Sequence, residues 1–257
     1  MTCACAASGV TMRRELETMR NIVRFRPRSF LDTARREWQF AVFAWMLRNS
    51  GGYPKFQDTS LVLPTEEVFP DQAMAGHAGV TALFRRLREH AGMAEWPCNV
   101  EPDEKAERPW LSGTNNTPVI RYRPDVLEPT ALAATLAREL ARYYVETLDE
   151  PPPGGPACVE PAIEIAAVFM GFGVFMTNAS LEGAGLDLNE GELAHALALF
   201  CLLRRIPHAP LATHLNPHLR KHLRLAAHDL AQHNASFHAL RSIFPVSPLE
   251  FLKPQSP

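Results

Sequence analysis

Between Thr135 and Tyr144 the chain reads Thr-Leu-Ala-Arg-Glu-Leu-Ala-Arg-Tyr-Tyr, which places Arg138 and Arg142 four residues apart with Glu139 between them. With histidine at both outer positions, this pattern puts two imidazoles on one face of a helix. They then hold a Zn²⁺ while the glutamate between them activates its water. Arginine changes that chemistry completely. A guanidinium carries only donors and stays protonated at physiological pH, so neither side chain can ligate a metal. Two readings follow: a metal site that has lost its ligands, or an ordinary amphipathic helix with Glu139 solvated or paired to a neighbouring turn.

Elsewhere, eight of the ten histidines lie in the last third of the chain (His195, His208, His214, His218, His222, His228, His233 and His238). His218 and His222 stand at i, i+4 in a predicted helix, a spacing suited to holding a metal between them. Asp229 and His233 continue the stripe, yet Asp229 lies about 16 Å beyond His218 along a helix axis, too far for one ion. Arg220, Lys221 and Arg224 also oppose a cation there, and the plainer reading is a polar exposed face. Cys158 has no histidine near it in sequence to activate it, which favours an inert thiol. Gly171 and Gly173 lack the strand and third glycine of a phosphate loop, and fit close helix packing better.

The elements that must position these groups are mostly helical. Ser29 or Asp32 caps a predicted helix to about Asn49, apolar on nearly every side through Trp38, Phe40, Phe43 and Trp45. Such a surface is buried on several faces or sits at a homodimer contact. Leu61–Pro64 reads as a short strand, and about 77–91 as an amphipathic helix. Cys98–Glu101 and Pro118–Arg123 read as strands on either side of a polar loop or hairpin. The motif helix opens at Pro129–Thr130 and ends near Asp149. Further helices are expected from Glu160 to about Asn178, from Asn189 to about Arg205, and from Pro217 to about Leu240. The fold class is α+β and mostly helical.

In ordered blocks the chain resembles a family of bacterial proteins of unassigned activity. The blocks are Leu61-Val-Leu-Pro-Thr-Glu-Glu-Val-Phe-Pro-Asp71, the last strand with the motif helix, Glu160-Pro-Ala-Ile-Glu-Ile-Ala-Ala-Val-Phe-Met-Gly-Phe-Gly-Val-Phe175, and Glu192-Leu-Ala-His-Ala-Leu-Ala-Leu-Phe200. In that family the motif helix usually looks like the His-Glu-x-x-His helix of a metallopeptidase. The resemblance implies a zincin-like domain over 13–257, with helices and a small sheet in 13–125 and the motif helix and a helical half in 126–257. It further implies that Glu139 stands where the water-activating base would be. Glu160 takes the place of a third ligand, and Glu164 that of its supporting carboxylate. Activity is then expected to be lost, leaving a binding or regulatory module for a protein or peptide, with no metal and no cofactor. The alternative is a hydrolase that keeps Glu139 as base at a rearranged zinc site. Because lost metal would leave carboxylates crowded together, Arg138 or Arg142 is expected to pair with Glu160 or Glu164.

Composition sets the remaining bounds. At 257 residues, 46% hydrophobic and 21% charged, the chain can bury a large core. A net charge of −2 gives no reason to expect nucleic acid or an anionic membrane as partner. No uncharged apolar run reaches the ~20 residues of a membrane span. The five scattered cysteines suit reduced thiols in a cytoplasm. Residues 1–12 read as a disordered extension without the basic start of a secretory signal, and the arginines of 13–28 as a solvated helix face.

Overall fold

The order of strong helix signals with short β-prone stretches between them is realised in the computed structural model, which describes residues 29–66, 68–69, 76–105, 110–112, 118–123, 129–182 and 185–244. The expectations for 1–12 and for the basic 13–28 segment lie outside these residues. Ten α-helices are described: α1 (Thr33–Asn49), α2 (Gly52–Phe56), α3 (Gly76–His90), α4 (Pro129–Glu146), α5 (Val159–Ala167), α6 (Gly173–Ala179), α7 (Glu190–Arg204), α8 (His208–Ala212), α9 (Pro217–Leu230) and α10 (Asn234–Arg241). The strands β1 (Asn99–Pro102), β2 (Trp110–Ser112) and β3 (Val119–Tyr122) form one small sheet.

Sheet order is β1-β3-β2, with β1 parallel and β2 antiparallel to β3. Val100 and Leu111 both stand opposite Ile120, which is fully buried. The sheet packs on α3 and α4, and α4 packs in turn on α5 and α6. Alanines at 131, 133, 134, 137 and 141 keep the surface of α4 low, and all are buried. That small-residue surface lets neighbouring helices approach an element that also carries two arginines.

The apolar α1 is used up inside the chain. Trp45 is fully buried and its indole N–H donates to the Glu150 carbonyl at 2.9 Å, while Trp38 donates to the Pro153 carbonyl at 2.9 Å. Both indoles thus find a hydrogen-bond acceptor within the chain. Asp32 caps α1 by accepting from the Arg35 N–H at 2.9 Å. A reciprocal capping box between Asn189 and Glu192 opens α7.

Three elements depart from the sequence reading. Leu61–Leu63 forms no strand. Its Val62 N–H bonds to the carbonyl of Gly171 at 2.9 Å, a partner in a helix kink. The helix expected from Glu160 is interrupted by a π-type segment, 168–172, in which Gly171 has φ 101°. A Cβ there would lie 2.1 Å from the Ser60 carbonyl oxygen, so the 60–62 segment needs glycine at this position. Gly173 does serve close packing, because a Cβ there would meet Leu197 of α7 at 2.8 Å. The last helix is likewise two, α9 and α10, parted at Ala231–His233. The helical run Pro156–Ala179 is long and apolar enough to cross a membrane by length and composition, but most of it is buried inside the fold.

Candidate functional site

Arg138 and Arg142 sit one turn apart on α4 and so share a face. Glu160 lies in the first turn of α5 and Glu164 one turn later, and α5 packs directly on α4. The sequence therefore delivers all four side chains to one helix–helix interface. Arg142 holds Glu160 with both prongs of its fork, Nη1 to Oε1 at 2.7 Å and Nη2 to Oε2 at 2.6 Å. Arg138 Nη2 donates to the same Oε2 at 2.8 Å and to Asp187 Oδ2 at 3.1 Å. Its Nε lies 3.4 Å from Glu164 Oε1 without the alignment of a hydrogen bond, so that contact is one of charge.

Burial separates the groups. The Arg138 side chain is 1% exposed and Glu164 0%, whereas Glu160 and Asp187 are 40% and 46% exposed and form the solvent-side rim. Two cations thus face four carboxylates, those of Glu139, Glu160, Glu164 and Asp187. Charge-assisted, bidentate contacts of this kind are the strong class of hydrogen bond.

Glu139 is buried and committed. Its Oε2 accepts from Arg142 Nε at 3.0 Å and from the Leu111 backbone N–H of β2 at 3.0 Å. Since β2 is an edge strand, that carboxylate occupies one of its outward-facing donors. Glu164 is equally occupied, accepting the N–H of Asp187 at 2.8 Å and that of Leu188 at 2.9 Å. Burial still dominates its titration and lifts the carboxyl from the usual 4.5 to about 7, against the pull of those two N–H groups and Arg138. The Arg142 guanidinium is held above its ordinary value, chiefly by the hydrogen bond to Glu160.

Asp187 and the Leu111 N–H were not apparent from the motif spacing. Asp187 reaches the site because Glu164 fixes the turn before α7, and no periodicity marks that turn. The histidine stripe does not converge along its length: Asp229 lies 3.9 Å from Arg36, and the His233 ring packs edge-on against Phe40. His218 and His222 instead meet a residue from another helix. Glu190 Oε1 is 3.1 Å from His218 Nε2 and 3.9 Å from His222 Nδ1. Cys158 lies beneath Gly154, against which its sulfur packs. His195 is buried, bonded through Nδ1 to Gln39 Oε1 at 2.7 Å, and pushed down to about 4 by burial.

No family model, curated protein or solved structure matches this chain.

Proposed function

We propose that this chain is a non-catalytic, metallopeptidase-like module of zincin-like design, which acts by binding a protein or peptide partner. The observation that carries the reading is the double engagement of Glu160 by Arg138 and Arg142. Two guanidinium groups at i, i+4 on α4 cross-link α4 to α5 through the residue that stands where a third zinc ligand would. Their combined charge equals that of the dication they would replace, and it offsets part of the charge of the four surrounding carboxylates. Glu139 supports the same reading. A general base must reach water, and here Oε2 is held between Arg142 and the edge of β2 in a side chain only 2% exposed. That engagement weighs against a hydrolase in which Glu139 activates water.

The test is hydrolysis of a mixture of fluorogenic peptides by protein freed of its purification tag, with and without added zinc. Turnover at the level of the blank, unchanged in Glu139→Gln, is expected. Turnover abolished by Glu139→Gln would overturn the proposal, as would stoichiometric zinc lost on Glu160→Gln.

A further inference from the structure

The first residue of α7 and two histidines of α9 make a second polar cluster, and it has the composition of a metal centre. Glu190, His218 and His222 each offer one ligand atom, and these atoms all lie within 4.8 Å of one another. We propose that the three bind one divalent transition-metal ion of the zinc class, clipping the start of α7 to the first turns of α9.

The donor set comes first. Two imidazoles and one carboxylate select borderline ions such as Zn²⁺ or Co²⁺ over Mg²⁺ or Ca²⁺, which prefer oxygen alone. Geometry comes second. Zinc ligands stand about 2.0–2.2 Å from the ion, which puts neighbouring donor atoms of a tetrahedron roughly 3.3 Å apart. Two of the separations here are already 3.1 Å and 3.9 Å. The remaining closure falls to His218, whose ring is 57% exposed and turns without disturbing the core. The His222 ring, by contrast, is largely covered, which fixes one ligand in place.

Backbone support is independent of these contacts. Glu190 directly follows the Asn189 cap, and the capping box with Glu192 sets its position on α7. Asn216 caps α9 through the His218 N–H at 3.1 Å, and Pro217 pre-forms the first turn. The two helices pack against each other along their length. The ligands therefore sit on two anchored helix starts rather than on loops, with a fourth position left to water or to another ligand.

Nearby positive charge does not defeat the site. Arg220 turns away, donating through Nε to the Leu215 carbonyl at 3.0 Å and through Nη2 to the Thr213 carbonyl at 3.5 Å. Lys221 and Arg224 are exposed, where solvent and salt screen them.

Isothermal titration of tag-free protein with zinc chloride tests the proposal, together with the visible absorption of the Co²⁺-loaded form. Wild type is expected to take up one equivalent at micromolar affinity or better. His218→Ala, His222→Ala and Glu190→Gln should each weaken binding by about tenfold or more. His228→Ala on the same helix and Glu160→Gln at the arginine cluster should bind as wild type does, which separates this site from the reading above. Circular dichroism of each apo variant checks the fold, and the exposed His218 gives a variant whose loss of binding is not loss of structure. Failure of wild type to bind an equivalent would overturn the proposal. So would retained affinity in the three ligand variants, or a Co²⁺ spectrum that they leave unchanged.

Discussion

Replacing Arg138 by methionine should cost a different amount of stability at pH 8 than at pH 5.5, and the difference reports on Glu164. Methionine keeps the length and apolar stem of the side chain and removes the charge. Breaking a buried pair by deleting one partner costs about 3–5 kcal/mol when the other charge stays behind. Here the loss is moderated, because Glu160 keeps Arg142, Asp187 is 46% exposed and Glu164 retains two backbone donors. About 3 kcal/mol is therefore expected at pH 8. At pH 5.5 the cost falls, because Glu164 titrates near 7 in the folded protein and is already neutral. What remains is the loss of contacts to the partly exposed Glu160 and Asp187, on the order of 1 kcal/mol. Removing the cation also raises the Glu164 carboxyl further. The part of the variant's instability that comes from Glu164 therefore appears as pH rises through about 7 and is absent well below it, where that carboxyl is neutral in both folded proteins. Urea unfolding of wild type and Arg138→Met at both pH values measures the two losses. Equal losses at the two pH values, or a loss under about 0.5 kcal/mol at pH 8, would refute the reasoning.

Other consequences are equally direct. Glu164 and His195 oppose each other in acid. Stability from Glu164, raised to about 7, is full below 4.5 and lost as pH rises through 7; stability from His195, lowered to about 4, is full above 6.5 and lost as pH falls through 4. Their slopes offset between about 4.5 and 6.5, so His195→Asn should uncover stability that falls with rising pH and Glu164→Gln the reverse, by chemical denaturation across that window. Gly171→Ala should cost more than about 2 kcal/mol in thermal or chemical unfolding, because a Cβ meets the Ser60 backbone at 2.1 Å with φ at 101°. Gly173→Ala should cost clearly less, since the atom it meets is the end of the Leu197 side chain. Restoring both histidines (Arg138→His with Arg142→His) on a His218→Ala, His222→Ala background should give an equivalent of zinc by metal analysis that depends on Glu160. No zinc in that variant would count against Glu160 standing at a former ligand position.

The parts of this fold that were legible in the sequence rest on local signals. Polar residues before apolar runs marked helix starts, with Ser29 and Asp32 both open as the first cap, and i, i+4 spacing put Arg138 with Arg142 and Glu160 with Glu164 each on one face of a helix. What stayed hidden depends on partners distant in the chain. The stretch 61–63 has the apolar character of a strand, yet its backbone partner is a kink in the helical run after Glu160. Strand β2 has three residues and no alternation to betray it. Between α9 and α10 neither glycine nor proline marks the break, so the periodicity ran through it. Asp187 enters the arginine cluster only because Glu164 accepts two N–H groups from its turn. Glu190 likewise meets the histidines only because α7 and α9 pack together.

The central claim is that an arginine–carboxylate contact joins α4 to α5 where a metal would have joined them. A double-mutant cycle between Arg142→Met and Glu160→Gln, read by urea unfolding at pH 7.5, tests it most directly. The pair is bidentate and only partly covered by solvent, so a coupling of about 1–2 kcal/mol is predicted. Additive single-variant losses, with coupling below about 0.3 kcal/mol, would contradict the account.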